Sequence, residues 1–198
     1  LQANPGPPVI ADLPANTYDN IEDAVSNSCR LVDAGADAVK LEGGVEVEGR
    51  VEAISRAGIE VIGHIGHTPQ SDKTHKVKGR TRVEADELLM SGKALQNAGA
   101  IAVVIELCDM NVAKEITNNL NIPTIGIGAG RYTDGQVLVL DDLLGWTDFS
   151  KFPGGKKPGF LGDYWDGLQA QEAVDKYVSM VKAGEYPKKT ESYSVLAE

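Results

Sequence analysis

Five polar side chains stand where short apolar runs finish: Asp12 after "PPVIA", Lys40 and Glu42 in "DAVKLEGG", His64 after "VIG", and Glu106 after "IAVVI". Lys40 and Glu42 are two positions apart, so in a strand both project from one face, roughly 7 Å apart along the chain. A cation and a carboxylate presented together can grip and polarise a substrate. The plainer alternative is a solvated strand end with a local ion pair, because surface pairs are common and contribute little. Gly43 and Gly44 would let the chain turn sharply there and leave room for a ligand.

Asp12 precedes Leu13–Pro14 and could simply cap a turn. With Glu42 it also supplies two hard oxygen donors of the sort that hold Mg²⁺, water and substrate completing the octahedron. Glu106 follows five apolar residues, so partial desolvation is expected there, a setting that favours general acid/base work. A structural ion pair is the alternative. In "GHIGHTPQ", His64 suits a neutral hydrogen-bonding group beside a substrate, whereas the three-residue gap to His67 lies in a strand-to-loop passage and makes a poor zinc site. "GIGAG" (126–130) could cradle a phosphate, with Arg131 the one obvious basic partner, but a lone glycine-rich turn is a weak signal. Cys108 has no base beside it in sequence and makes a poor nucleophile.

The elements that must position these groups repeat one grammar. "RLVDAGADAVK", "RAGIEVIG", "NAGAIAVVIE" and "NLNIPTIGIG" each stop a helical pattern at Gly35, Gly58, Gly99 or Asn121, where a left-handed cap is easiest, and then run into a β-branched strand. With "PPVIADLP" and "QVLVLDDLLG" this predicts about six strands. Helices are expected near 19–34, 46–57, 81–98 and 110–120, with a C-terminal helix at 163–183 and a long loop over 145–162. Alternating strand and helix implies an α/β fold with a parallel sheet. The polar endings fall on five different strands, which favours a barrel mouth over the single switch point of an open sheet. The pattern shows one domain over 1–198.

Composition narrows the partners. Nineteen basic and twenty-nine acidic residues among 198 give a net charge of −10, which repels phosphate backbones and anionic lipid, so neither nucleic acid nor membrane is an expected partner. No apolar run approaches the roughly 18 residues of a membrane span. Two distant cysteines, Cys29 and Cys108, form no disulfide framework and suit a reducing compartment. The opening "LQANPGPPVIADLP" is no signal peptide and does not resemble a natural start.

Together, "ADLP", "VKLEGG", "GHIGHTPQS", "KVKGR", "IPTIGIGAG", "TDGQVLVLDDLLG" and "KAGEYP" resemble, in order, the ketopantoate (3-methyl-2-oxobutanoate) hydroxymethyltransferase family, from Val9 to Pro187. The resemblance implies a (β/α)₈ TIM barrel of the phosphoenolpyruvate/pyruvate superfamily. It implies transfer of a hydroxymethyl group from 5,10-methylenetetrahydrofolate to the α-ketoacid 3-methyl-2-oxobutanoate, in pantothenate biosynthesis. By the same resemblance Asp12 is a Mg²⁺ ligand that also meets substrate, and Glu42 belongs to the metal's acidic shell. Lys40 contacts the ketoacid, His64 lines the pocket, and Glu106 is the general base. A homo-oligomer (a decamer in bacterial relatives) and a cytoplasmic location, mitochondrial in eukaryotes, also follow from it.

The chain departs from the family pattern at Ala15–Asn16 after "DLP", at His67 in place of a leucine, at Cys108–Asp109, and in a shortened loop before "KVKGR". It lacks the family's "VGDS", so the first two βα units, with a further metal-binding aspartate, are expected to be absent from this sequence. Two other readings stay open: a superfamily carbon–carbon lyase acting on an α-ketoacid or dicarboxylate, and a non-catalytic ketoacid-binding homologue.

Overall fold

Short β-branched runs alternate with amphipathic segments, and the computed structural model, which describes residues 6–151, 154–162 and 167–196, turns that alternation into strand and helix. The order is β1 (Ile10–Asp12), α1 (Ile21–Asp33), β2 (Ala38–Glu42), α2 (Glu48–Arg56), β3 (Glu60–Gly66), α3 (Arg82–Asn97), β4 (Ala102–Glu106), α4 (Met110–Asn119), β5 (Thr124–Ile127), β6 (Gly135–Gln136), α5 (Leu140–Leu143) and α6 (Ala170–Lys182). Helix starts follow local chemistry. Asn20 accepts from the Asp23 N–H, Thr81 from Glu84, and Asp109 from Asn111 and Val112, each satisfying donors that a helix cannot.

All six strands are parallel and neighbour one another in chain order, β1 to β6. Helices α1 to α4 cover a single face. There Val39, Leu41, Val61, Ile65, Val103 and Ile105 of the strands pack with Ala24, Val51, Ile54, Leu95, Val112 and Ile116 of the helices. A doubly wound sheet would reverse its strand order and carry helices on both faces. This sheet does neither, and is an arc of a (β/α) barrel. Among the described residues β1 pairs only with β2 and β6 only with β5, so six strands are seen rather than the eight of a closed barrel.

The helix-free face is the inner one. It carries a small apolar layer of Ile62, Ala102, Val104 and Ile127, with Phe160 packed against it. Because side chains alternate along each strand, Asp12, Lys40, Glu42, His64 and Glu106 share this face. Among the described residues no helix is long and apolar enough to cross a membrane.

Four expectations need correction. Gly35, Gly58 and Gly99 do end their helices left-handed (φ +110°, +81° and +98°), but Asn121 does not. Helix α4 closes instead through extended Leu120 (φ −100°, ψ 151°), which leads directly into the next strand. "QVLVLDDLLG" is strand only at Gly135–Gln136. After the Val137 N–H meets the Gly126 carbonyl at 3.0 Å the run leaves the sheet, and Asp141 and Asp142 fall in the first turn of α5, where the helix dipole favours them. The C-terminal helix is shorter than 163–183. Residues 163–166 lie outside the described residues, and Gly167 (φ +78°) holds a conformation incompatible with a right-handed helix. Helix α6 therefore begins at Ala170. The glycines of "GIGAG" cradle protein rather than leaving a phosphate nest: a Cβ on Gly126 would meet Thr133, one on Gly128 would meet Phe160, and one on Gly130 would meet Met110.

Candidate active site

Parallel register decides which polar strand ends meet. Asp12 is aligned with Lys40, Glu42 with His64, and Gly66 with Glu106. Lys40 Nζ lies 2.9 Å from Asp12 Oδ1 across β1 and β2. The ion pair foreseen as a bland alternative thus exists, but Lys40 makes it with Asp12 on the neighbouring strand. On its other side Lys40 Nζ is 3.5 Å from His64 Nδ1. An ammonium has only donors, so Nδ1 accepts, and the hydrogen of the neutral ring sits on Nε2.

His64 is the hinge of the arrangement. Its side chain is 4% exposed, Nδ1 stands 3.8 Å from Glu42 Oε1, and Nε2 stands 3.2 Å from Glu106 Oε2. The last contact is close enough for an ion pair, yet Nε2 makes no hydrogen bond among the described residues, which means the N–H direction misses the carboxylate. Distance alone overstates this contact, and the angular test is the better guide to its strength. Glu106 keeps 21% exposure and opens toward solvent.

Glu42 is almost fully enclosed, and its Oε2 accepts the Gln70 N–H at 3.0 Å. Gln70 also donates through Nε2 to the Leu13 carbonyl at 3.0 Å and accepts from the Tyr18 hydroxyl at 2.9 Å. It therefore ties the β3 loop to the end of β1. Burial, and next to it the Glu42 charge, raise the Tyr18 phenol above its ordinary value and keep it a donor. Gln70 and Tyr18 went unnoticed in the sequence, although "TPQ" placed the glutamine directly after a turn-forming proline.

The glycines after Glu42 serve packing. Gly43 adopts φ +133°, and a Cβ there would stand 2.6 Å from Val47 Cγ1. A Cβ on Gly44 would collide with Ser91 of α3, so the room goes to protein as well as to a neighbouring groove. At Gly66 (φ +93°) a Cβ would strike the Glu106 backbone carbonyl, so only glycine lets the end of β3 lie this close to the end of β4.

Two further clusters brace the strand ends. Asp72 accepts from Thr74 N and Oγ1 at 2.7 Å each, and lies 2.5 Å from Lys78 Nζ and 3.4 Å from His67 Nδ1. The Lys78 contact foremost, and then Thr74, hold its carboxyl well below the usual range. Asp109, fully buried, caps α4 with one oxygen and with the other accepts the N–H groups of Val195 (2.5 Å) and Leu196 (2.9 Å). Neither role was singled out in the sequence: an aspartate before a helix is a legible cap, but partners 86 and 87 residues away are not. Arg131, the possible anion ligand, is used structurally, donating to the Gly184 carbonyl at 3.1 Å. Burial pushes the Cys108 thiol up to about 12, in keeping with its poor promise as a nucleophile.

As for a metal, no group of three or more carboxylate, histidine or cysteine side chains is assembled among the described residues. What is present is an exposed Asp12 carboxylate on the same inner face as Glu42. That donor set fits Mg²⁺ in the mode where one or two carboxylates are joined by water and substrate oxygens.

Known proteins agree with this architecture. The chain is 46% identical over 191 residues to a 3-methyl-2-oxobutanoate hydroxymethyltransferase from Ignicoccus hospitalis, covering 94% of this chain and 70% of that protein. It is 46% identical over 195 residues to one from Sulfurisphaera tokodaii, covering 96% of this chain and 70% of the relative. In three dimensions it is similar to a phosphonomutase-like structure from Burkholderia cenocepacia J2315, with a TM-score of 0.50 and 18% identity over 65% of this chain and 62% of the other, a likeness of fold alone. The sequence profile of ketopantoate hydroxymethyltransferases matches residues 2–189, and the chain belongs to that family.

Proposed function

We propose that the protein transfers the one-carbon unit of 5,10-methylenetetrahydrofolate to 3-methyl-2-oxobutanoate, giving the hydroxymethylated α-ketoacid. The observation that carries this reading is the Asp12–Lys40 ion pair of 2.9 Å on the inner face, with buried His64 3.5 Å from Lys40 and the partly open Glu106 carboxylate beside it. Lys40 offers the ketoacid oxygens a cation oriented by Asp12 and His64. Glu106 presents a partly open carboxylate that removes the proton from C3. As that bond breaks, charge moves to the keto oxygen, where the Lys40 N–H groups meet it. Water cleaves both C–N bonds of the methylene bridge, the two nitrogens returning to N–H as tetrahydrofolate leaves, and the C3 carbon adds to the formaldehyde so released, whose oxygen takes up a proton to become the hydroxyl. His64 lines the pocket between them and supports Lys40 through Nδ1.

A bound Mg²⁺, with Asp12 as ligand and Glu42 in its shell, would supply Lewis acidity that draws charge from the carbonyl. Homo-oligomeric assembly belongs to the same reading, supported by the resemblance, and sedimentation would check it. The decisive experiment is steady-state formation of 2-dehydropantoate from 3-methyl-2-oxobutanoate and methylenetetrahydrofolate with Mg²⁺ by the natural full-length protein. No turnover would sink the reading. Cleavage of a dicarboxylate would point to a lyase, and ketoacid binding without turnover to a non-catalytic homologue.

A further inference from the structure

Asp12 has little to hold it in place. Strand β1 is three residues long, and the Asp12 side chain is 57% exposed, its ion pair with Lys40 being its one polar contact among the described residues. Where that carboxylate stands therefore depends on the backbone that follows it. Leu13, the next residue, is fully buried, and its N–H donates to the Lys40 carbonyl at 2.8 Å. Its own carbonyl accepts from Gln70 Nε2 at 3.0 Å.

Gln70 arrives from the loop after β3, and its backbone N–H donates to Glu42 Oε2 at 3.0 Å. One residue thus fixes an oxygen of Glu42 and the peptide beside Asp12. Its amide can face only one way. A carbonyl only accepts, so Nε2 must meet Leu13, and Oε1 is left to accept from the Tyr18 hydroxyl at 2.9 Å. Tyr18 packs against the sheet–helix core. The turn before it is closed by Thr17, whose N–H and Oγ1 both donate to the Pro14 carbonyl, and Asn27 of α1 donates to the Thr17 carbonyl at 2.8 Å. A glutamine that merely ended a surface turn would direct its amide at water or at its own loop. This one reaches Leu13, Tyr18 and Glu42, which lie 57, 52 and 28 residues away.

We propose that Gln70, locked by Tyr18, is a positioning residue that holds the Asp12 and Glu42 carboxylates in the relation a hard divalent cation and the α-ketoacid require. It acts through Leu13 and Glu42 and touches neither ligand. The inference rests on the Mg²⁺ part of the proposed function. Carboxylates at metal sites are oriented by hydrogen bonds from the residues around them, and loss of one such partner lowers metal affinity about 10- to 100-fold.

The test is Mn²⁺ binding to the full-length protein, read from the electron paramagnetic resonance of the free ion. Mn²⁺ takes the same oxygen donors as Mg²⁺. Wild type, Gln70→Leu, Tyr18→Phe and the double variant are compared. Tyr18→Phe keeps the packed ring and removes only the hydroxyl, so it reports on the lock even where Gln70→Leu destabilises the fold. Gln70→Leu is expected to bind Mn²⁺ about 10- to 100-fold more weakly, and Tyr18→Phe about fivefold, as loss of one hydrogen bond does. Adding Tyr18→Phe to Gln70→Leu should change nothing further, because the hydroxyl acts through the amide. Wild-type affinity in both single variants, or losses that add in the double variant, would overturn the positioning role alone. Wild type that binds no Mn²⁺ would overturn the metal reading of the site and this inference with it.

Discussion

His64 and Glu106, on adjacent strands, approach to 3.2 Å between Nε2 and Oε2 while the imidazole is almost wholly buried and the carboxylate stays partly open. One group is fixed and the other is free to act, which is the division of labour that proton abstraction needs. Replacing Glu106 by glutamine keeps the size and removes the proposed base. Exchange of the C3 hydrogen of 3-methyl-2-oxobutanoate with D₂O, followed by NMR, should fall about 10²- to 10⁴-fold. Wild-type exchange in Glu106→Gln would contradict its role.

Lys40→Ala should act on binding. Hydrogen bonds from a charged group contribute about 1.5–3 kcal/mol, so the ketoacid should bind roughly ten- to a hundredfold more weakly. Titration calorimetry with 3-methyl-2-oxobutanoate measures this directly. Unchanged affinity would show that Lys40 serves only its ion pair with Asp12.

Asp109→Ala removes a helix cap and strands the Val195 and Leu196 N–H groups together. The combined loss should be about 3 kcal/mol in chemical denaturation. The C-terminal segment should also become the first site of limited proteolysis, because the aspartate joins it to the start of α4.

Cys29 is exposed and Cys108 is buried with a thiol raised to about 12 by that burial. At pH 8 a disulfide reagent should therefore titrate one thiol in the native protein and two in denaturant. Rapid native modification of both would mean that the end of β4 opens readily.

The folded-state pKa of Asp72 is depressed, so its clasp contributes stability above the unfolded value of about 3.9 and loses it as pH falls through the folded value. Hydrogen exchange over residues 70–78 should hence show no clasp-dependent loosening from pH 8 down to about 5. Asp72→Asn should loosen the same segment throughout that range. A variant no looser than wild type at pH 7 would show that Lys78 and Thr74 do not need this carboxylate.

Much of this was legible before any fold. Glycine caps at 35, 58 and 99 and the β-branched runs after them located strands β2, β3 and β4, because backbone propensity and side-chain period are local properties. The same rule placed Asp12, Lys40, Glu42, His64 and Glu106 at strand ends and predicted that Lys40 and Glu42 share a face. Where a residue's neighbours decided matters, sequence was silent or misled. The run after Gln136 looked like a strand, yet its ladder with β5 ends at the Val137 N–H, and Leu140–Leu143 coils into a helix instead.

By itself, then, the sequence determined the α/β alternation, the family and the polar strand ends. Tertiary structure alone decided the pairings: Lys40 with Asp12 rather than Glu42, Glu42 with the Gln70 N–H, Asp109 with the tail, and His67 with Asp72. Parallel register brings Asp12 and Lys40 side by side though they are far apart in sequence, and the other pairings depend on where the packed loops and tail lie, which is set by tertiary packing rather than by any local pattern.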